Sequence, residues 1–281
     1  MSTTLDTARI AGDGWEAEIL LSPENRRIQV IGYRGDRLPG LAGELDARAR
    51  EHGFDKVFMK ARSDDREALE AAGMETEATI AGYFDGDDAV VMARFLSEAR
   101  RNRPHEDEER AIMDAITTRP PDDSLKPLPA GYRVLRATED DAPELATLYE
   151  QVFASYPYPI HDPAYLAGTM ASHIAYRIVR DASGAVVAAA SAETDREHRN
   201  AEMTDFATLP SQRGLGLAQH LLQALEADMD TAGIPNLYTV ARARSAGMNR
   251  VFYNRGYGFT GTLVNNCHIA GRFEDMHVWC R

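Results

Sequence analysis

Two acids and a pair of glycines in one short stretch carry the clearest chemical signal in this sequence. Glu202 and Asp205 stand in a run of apolar and β-branched residues that ends at Pro210, and Arg213, Gly214 and Gly216 follow at once. A carboxylate among Met203, Phe206 and Ala207 would be costly without a purpose. Leu217, Leu221, Leu222 and Leu225 then recur on one helical face, so the stretch reads as strand, glycine turn and helix start. Glycines remove Cβ atoms where a ligand would approach the backbone, and a helix start leaves amides without partners. Such a turn can hold an anion such as phosphate or pyrophosphate, or it can serve packing alone. No Lys-Ser/Thr pair follows the glycines and no acid sits at dinucleotide-fold spacing, which sets nucleotide hydrolysis and NAD binding aside.

The elements that must position this stretch can be read on either side of it. Residues 15–21 and 28–33 predict a hairpin, 38–52 a helix closed by Gly53, 56–60 a strand, and 64–72 a short helix ended by Gly73. Strands at 76–83 and 89–95 complete a first block, 1–98. Residues 99–130 mix arginines, an acidic cluster at 106–109, a short amphipathic helix to about Thr117 and then four prolines at 120, 121, 127 and 129, the composition of a solvated linker. A second block, 131–281, predicts a strand at 132–136, helices at 142–153 and 164–173, and strands at 176–180 and 185–193 before the central stretch. Between the two helices, Tyr156, Pro157, Tyr158 and Pro159 form a stiff loop that either lines an acceptor pocket or caps a core edge. Residues 41–62 and 217–242 share the order helix, Gly, strand, Ala-Arg, and 80–85 echoes 269–274, so the first block reads as a degenerate repeat of the second. It carries Arg37, Leu38, Pro39 and Gly40 where the anion turn should be and lacks the glycine pair.

Composition narrows the partners. A chain of 281 residues with 44% apolar residues has room for two cores, and a net charge of −13 disfavours nucleic acid and favours a cationic small molecule. Two cysteines make no disulfide framework, which together with the absence of a signal-like start predicts a cytoplasmic protein. The longest apolar runs are too short to span a bilayer, and the scattered histidines show no metal-ligand spacing.

Arg213-x-x-Gly216-x-Ala218 resembles the R/Q-x-x-G-x-G/A element of the GNAT N-acetyltransferases, which cradles the pyrophosphate of coenzyme A. The element order of the second block is similar to theirs. The resemblance implies a GNAT acyl-CoA N-acyltransferase fold of class α/β, with a mixed, mostly antiparallel sheet flanked by helices, and acetyl-CoA as donor. It implies cofactor contacts from Arg213, Gly214, Leu215, Gly216, Leu217, Ala218 and Asn249 and from the amides of Phe206, Ala207 and Thr208. It also implies Glu202 as base and Tyr253, in the run from Asn249 to Phe259, as the acid that protonates the leaving thiolate, while Asp205 is a second candidate, either as the base or as an anchor for the ammonium. An alkylammonium of pKa about 10.4 costs roughly 4–5 kcal/mol to neutralise at pH 7, which is the work a carboxylate base shares. Glu202 and Asp205 are an odd number apart and face opposite sides of an ideal strand; a bulge would bring both to one cavity.

Longer strings narrow the resemblance further: residues 202–210, 238–243, 247–249, 261–266, 269–271 and 276–279, with the Tyr156–Ile160 loop and 82–89, look like the β-lysine N-acetyltransferases. That family acetylates the terminal amine of β-lysine, made by a lysine 2,3-aminomutase, to give the compatible solute Nε-acetyl-β-lysine. A diamino acid asks its pocket for acids, amides and an arginine. Asp205, Tyr156, Tyr158, Asn265, Asn266 and Glu274 are the candidate contacts, with Arg242 or Arg244 for the carboxylate. The rival readings are another small amine such as a polyamine, a protein lysine, or an acyl-CoA-binding module without catalysis.

Overall fold

The helix-period leucines and β-branched runs resolve, in a computed structural model that describes residues 6–269 and 271–281, into two mixed sheets with helices against them. Ala270, part of one string noted above, lies outside the described residues.

The first sheet runs β1 (Asp6–Gly12), β2 (Trp15–Ser22), β3 (Arg27–Gly35), helix α1 (Leu38–Glu51), β4 (Lys56–Arg62), α2 (Arg66–Ala71), β5 (Glu75–Phe84) and β6 (Asp87–Phe95), in the order β1-β2-β3-β4-β6-β5. β1 is an addition to the sequence reading. Only Ile10 in it is buried, so no apolar alternation marked it; it is an edge strand held by its antiparallel ladder to β2.

The second sheet is built from β7 (Arg133–Arg136), β8 (Ile174–Arg180), β9 (Val186–Asp195), β10 (Asn200–Thr208), β11 (Asn236–Arg242), β12 (Gly258–Ile269) and β13 (Arg272–Cys280). Its helices are α5 (Ala142–Val152), α6 (Pro163–Met170), α7 (Leu217–Ala232) and α8 (Ala246–Asn254). Leu217, Leu221, Leu222 and Leu225 are buried against one face, beside α8 residues, while α5 and α6 cover the other. Ala188, Ala189, Ala190 and Ala192 of β9 leave room for helices on both sides.

Strand order is the same in the two sheets: β8-β9-β10-β11-β13-β12 repeats β1-β2-β3-β4-β6-β5, with one parallel pair in each, β3 with β4 and β10 with β11. The helix-strand echo seen in the sequence falls on α1-β4 and α7-β11. The second echo is displaced by four residues, because Phe84 pairs with Asp87 across one hairpin while Ile269 pairs with Arg272 across the other. Between the sheets, Phe58, Ala78, Ile80 and Val91 pack on Tyr238, Leu263, Met276 and Val278. A Cβ on Gly261 would lie 2.1 Å from the Glu77 carbonyl oxygen, so only glycine lets β12 approach β5 this closely.

The linker differs most from expectation. Its helices α3 (Glu98–Arg101) and α4 (Glu106–Thr117) tie the sheets together. Arg100 is 2% exposed, donates to Asp55 at 2.7 Å and lies 3.7 Å over the Phe273 ring, while Arg103 joins Glu109 to Asp275 of β13. A charge run reads as solvated until its distant partners are known, here Asp55, 45 positions from Arg100, and Asp275, 172 positions from Arg103.

Candidate active site

β10 and β11 pair in parallel only from Asn200↔Asn236 to Glu202↔Tyr238 and then part. A small cavity opens in the gap, lined by Met203 to Phe206 on one side and Thr239 to Arg242 on the other, with Met248 and Phe252 of α8 behind. On its other edge β10 keeps pairing with β9, but the register shifts between Thr204 and Ala207, and Asp205 takes φ 54°. This bulge offsets the strand alternation: Glu202 and Asp205 line one cavity of about 280 Å³ that continues from the gap.

That cavity is walled by both sheets. The second contributes Glu193, Glu202, Thr204 and Asp205, and the first contributes Arg27, Gln29, Phe58 and Lys60. The Tyr156–Pro159 loop lines it and separates it from an outer cleft of about 740 Å³ along β2 and β3. Burial raises the Glu202 carboxyl to about 7, helped by the charge of Glu193 and opposed by the Lys60 ammonium and Tyr238. Asp205 is also raised by burial, although the hydroxyls of Ser191 and Tyr156, each 2.6 Å from one of its oxygens, favour its charged form. Lys60 donates to the Tyr238 hydroxyl at 2.7 Å and lies over the Tyr83 and Tyr238 rings. Burial works against its charge, but Tyr83 and the two glutamates outweigh that and its pKa is raised.

After the 3₁₀ turn at Pro210–Gln212 the chain forms the glycine loop, with Gly214 at φ 83° and Gly216, which caps α7, at φ 78°. None of the amides of Gly214, Leu215, Gly216, Leu217 and Ala218 donates to a backbone carbonyl, so five donors converge at one helix start with no acid in its first turn. Exposed Arg213 sits at the same place, and the Lys126 ammonium reaches the Gly214 carbonyl at 3.1 Å. These residues fit an anionic pyrophosphate. Among the described residues no group of three His, Cys, Asp or Glu is placed to hold a metal.

The remaining sequence candidates divide. Asn266 and Tyr158 line the shared cavity, and Arg242 lines the gap. Asn249 is fully buried; its amide donates to the carbonyls of Arg242, Ala243 and Ser245 and accepts from Trp279, so it fixes the turn into α8. Tyr253 donates its hydroxyl to the Arg119 carbonyl at 2.9 Å. Asn265 spends its amide on the carbonyls of Arg100 and Asn102, Glu274 accepts from Arg272, and Arg244 pairs with Glu108, so the structure does not bring these three to the cavity. Sequence reading missed Glu193, Arg27 and Lys60. Lys60 shares β4 with Lys56 and Arg62, so nothing in the strand's own pattern sets it apart.

Comparison with known proteins gives the family. Residues 140–259 match the model of the acetyltransferase (GNAT) family. The chain is 38% identical to the N-acetyltransferase YodP of Bacillus subtilis, over 92% of each chain. It is 36% identical to the β-lysine N(6)-acetyltransferase of Methanococcus maripaludis, over 93% of this chain and 94% of that one. To the β-lysine N(6)-acetyltransferase of Methanosarcina mazei it is 35% identical, over 87% and 97%. Solved structures with some likeness include a spermidine N-acetyltransferase of Vibrio cholerae, at 17% identity and TM-score 0.46 over 54% of this chain and 94% of that one. The chain therefore belongs to the GNAT acetyltransferases, in the family that holds the β-lysine N(6)-acetyltransferases, and is an acetyl-CoA-dependent N-acetyltransferase.

Proposed function

We propose that this protein acetylates the terminal (N6) amine of β-lysine, giving Nε-acetyl-β-lysine, by direct attack within a ternary complex. The observation that carries the reading is a half-buried carboxyl with pKa raised to about 7, Glu202, in a cavity open to the gap between β10 and β11 and faced by both acids and cations. Acetyl-CoA, when bound, supplies an acetyl thioester. The amides of residues 214–218 and Arg213 would hold its pyrophosphate, and the β10 edge at Phe206, Ala207 and Thr208 would hold its arm and polarise the carbonyl.

Glu202 is the base. With its carboxyl raised to about 7, its ionised form takes a proton from the ammonium and leaves the nitrogen a nucleophile. Asp205, with both oxygens already engaged by hydroxyls, anchors the same ammonium and orients it. Asn249 sets the wall of the gap through the turn it caps, and Tyr253 on the following helix turn is the group assigned to protonate the departing thiolate. For that step its hydroxyl must exchange the Arg119 carbonyl for the sulfur. The reading places the enzyme in the cytoplasm, with β-lysine supplied by a lysine 2,3-aminomutase and the product serving as a compatible solute.

Thiol release from acetyl-CoA with β-lysine, α-lysine, spermidine and a lysine peptide as separate acceptors tests this, with NMR of the product. β-Lysine should give the highest kcat/KM and carry the acetyl on N6. Preference for another amine would discard the acceptor, and cofactor binding without turnover would discard catalysis.

A further inference from the structure

Arg27 stands apart from the other buried cations. Lys56 is fully buried and held by Glu77 at 2.9 Å; Arg100, 2% exposed, is held by Asp55 at 2.7 Å. Arg27 is 5% exposed, yet among the described residues no carboxylate lies within ion-pair reach of it. Its guanidinium donates to neutral groups, the Asn266 carbonyl at 2.5 Å and Gln29 Oε1 at 3.2 Å, and rests 5.0 Å over the Phe58 ring. Its Nε is buried with no hydrogen-bond partner. A buried charge left without a counterion is costly, and natural chains seldom leave one so unless something else neutralises it. Arg27 lines the same cavity as Glu193, Glu202 and Asp205, at the side away from the gap between β10 and β11.

We propose that Arg27 is the anchor for the carboxylate of the acceptor, so that the enzyme selects amino-acid amines over simple diamines. The inference rests on the acceptor reading above and adds its polarity. An acceptor lying along the cavity places its terminal nitrogen at Glu202 and Asp205 and its carboxylate at the first sheet. Gln29 and the Asn266 carbonyl hold the guanidinium plane, which suits the two-point hydrogen bonding an arginine gives a carboxylate. Lys60, the other Lys or Arg on this wall, faces Glu202 and Glu193 and is tied to Tyr238, so its charge is already answered.

The test compares β-lysine with 1,4-diaminopentane, the same molecule without its carboxylate, on wild type, Arg27→Gln, Arg27→Lys and Lys60→Gln. Wild type should favour β-lysine in kcat/KM by about thirtyfold or more, the range of a buried charged hydrogen bond. Arg27→Gln should lower kcat/KM for β-lysine, through KM, by at least about tenfold more than for the diamine, and Arg27→Lys should restore part of the preference. An equal fall for both acceptors would make Arg27 a packing residue and overturn the proposal. So would a loss of preference in Lys60→Gln alone. If Arg27→Gln does not fold, wild type still decides: no preference between the two acceptors overturns the carboxylate subsite. Wild type inactive on β-lysine but active on another amine overturns the acceptor reading itself, and the subsite with it.

Discussion

The two sheets share a strand order and differ where chemistry is done. Counted from the first pair of each parallel ladder, Gln29↔Phe58 in the first sheet stands where Glu202↔Tyr238 stands in the second. The first sheet thus carries the neutral amide in the place of the base. From β3 the chain passes through Asp36 and Arg37 directly into α1, with Pro39 in the first turn, whereas β10 reaches α7 through the glycine loop with its five free amides. Trp15, mostly buried, closes over the α1 start: a Cβ on Gly40 would lie 2.8 Å from its indole nitrogen. A repeat that has filled its anion turn with an indole keeps only its inner face for function, and that face supplies Arg27 and Lys60 to a cavity whose acids come from the other copy. On the proposed reading charge is divided between the copies: the second would bind the donor and take the proton, and the first would read the acceptor.

The strongest break of this contrast is Glu202→Gln, which makes the second copy match the first. A fall in kcat of about 10²–10⁴-fold is expected for removing a general base, with KM for acetyl-CoA unchanged in steady-state assays. Retained kcat would move the base to Asp205. Next comes the seam between the copies. Glu77→Ala leaves Lys56 buried without its partner, and unfolding in denaturant should show a loss of about 3–5 kcal/mol. A loss below about 1 kcal/mol would mean that water reaches Lys56.

Gly216→Ala forces a side chain into φ 78°, a conformation costing roughly 1–2 kcal/mol, and should raise KM for acetyl-CoA about tenfold while leaving KM for β-lysine near wild type. Calorimetry should correspondingly count one coenzyme A per chain; two would mean that the first copy has kept its site. The smallest effects follow pH. Acceptor kcat/KM should rise with pH to an inflection near 7 as Glu202 ionises. The folded pKa of this carboxyl is raised, so the folded state holds a proton that the unfolded chain has already released. Stability therefore falls as pH rises from the ordinary carboxylate range to about 7, and Glu202→Gln should melt above wild type at pH 8.

Much of this was legible from local pattern. The α7 leucines, the glycine turn and the bulge of β10 all sit within one stretch, where spacing determines what residues face. The topological repeat also showed through, because α1-β4 and α7-β11 preserve the same punctuation. Arg27, Lys60 and Glu193 were not legible, since their meaning depends on which sheet faces which, and no local period encodes that. The same physics misled the reading of Asn265 and Glu274: polar residues in family-like strings can hold a bulge or an ion pair as well as a ligand. Arg100 shows the converse, a residue in a charged, Pro-rich run that is buried because its partners come from far along the chain.

The structure of a dead-end complex with coenzyme A and β-lysine bound together tests the division of labour most directly. The account places the sulfur in the gap between β10 and β11, the terminal amine against Glu202 and Asp205, and the carboxylate against Arg27 of the other sheet. A bound β-lysine whose carboxylate points into solvent or toward the gap, with no contact to the first sheet, would contradict it.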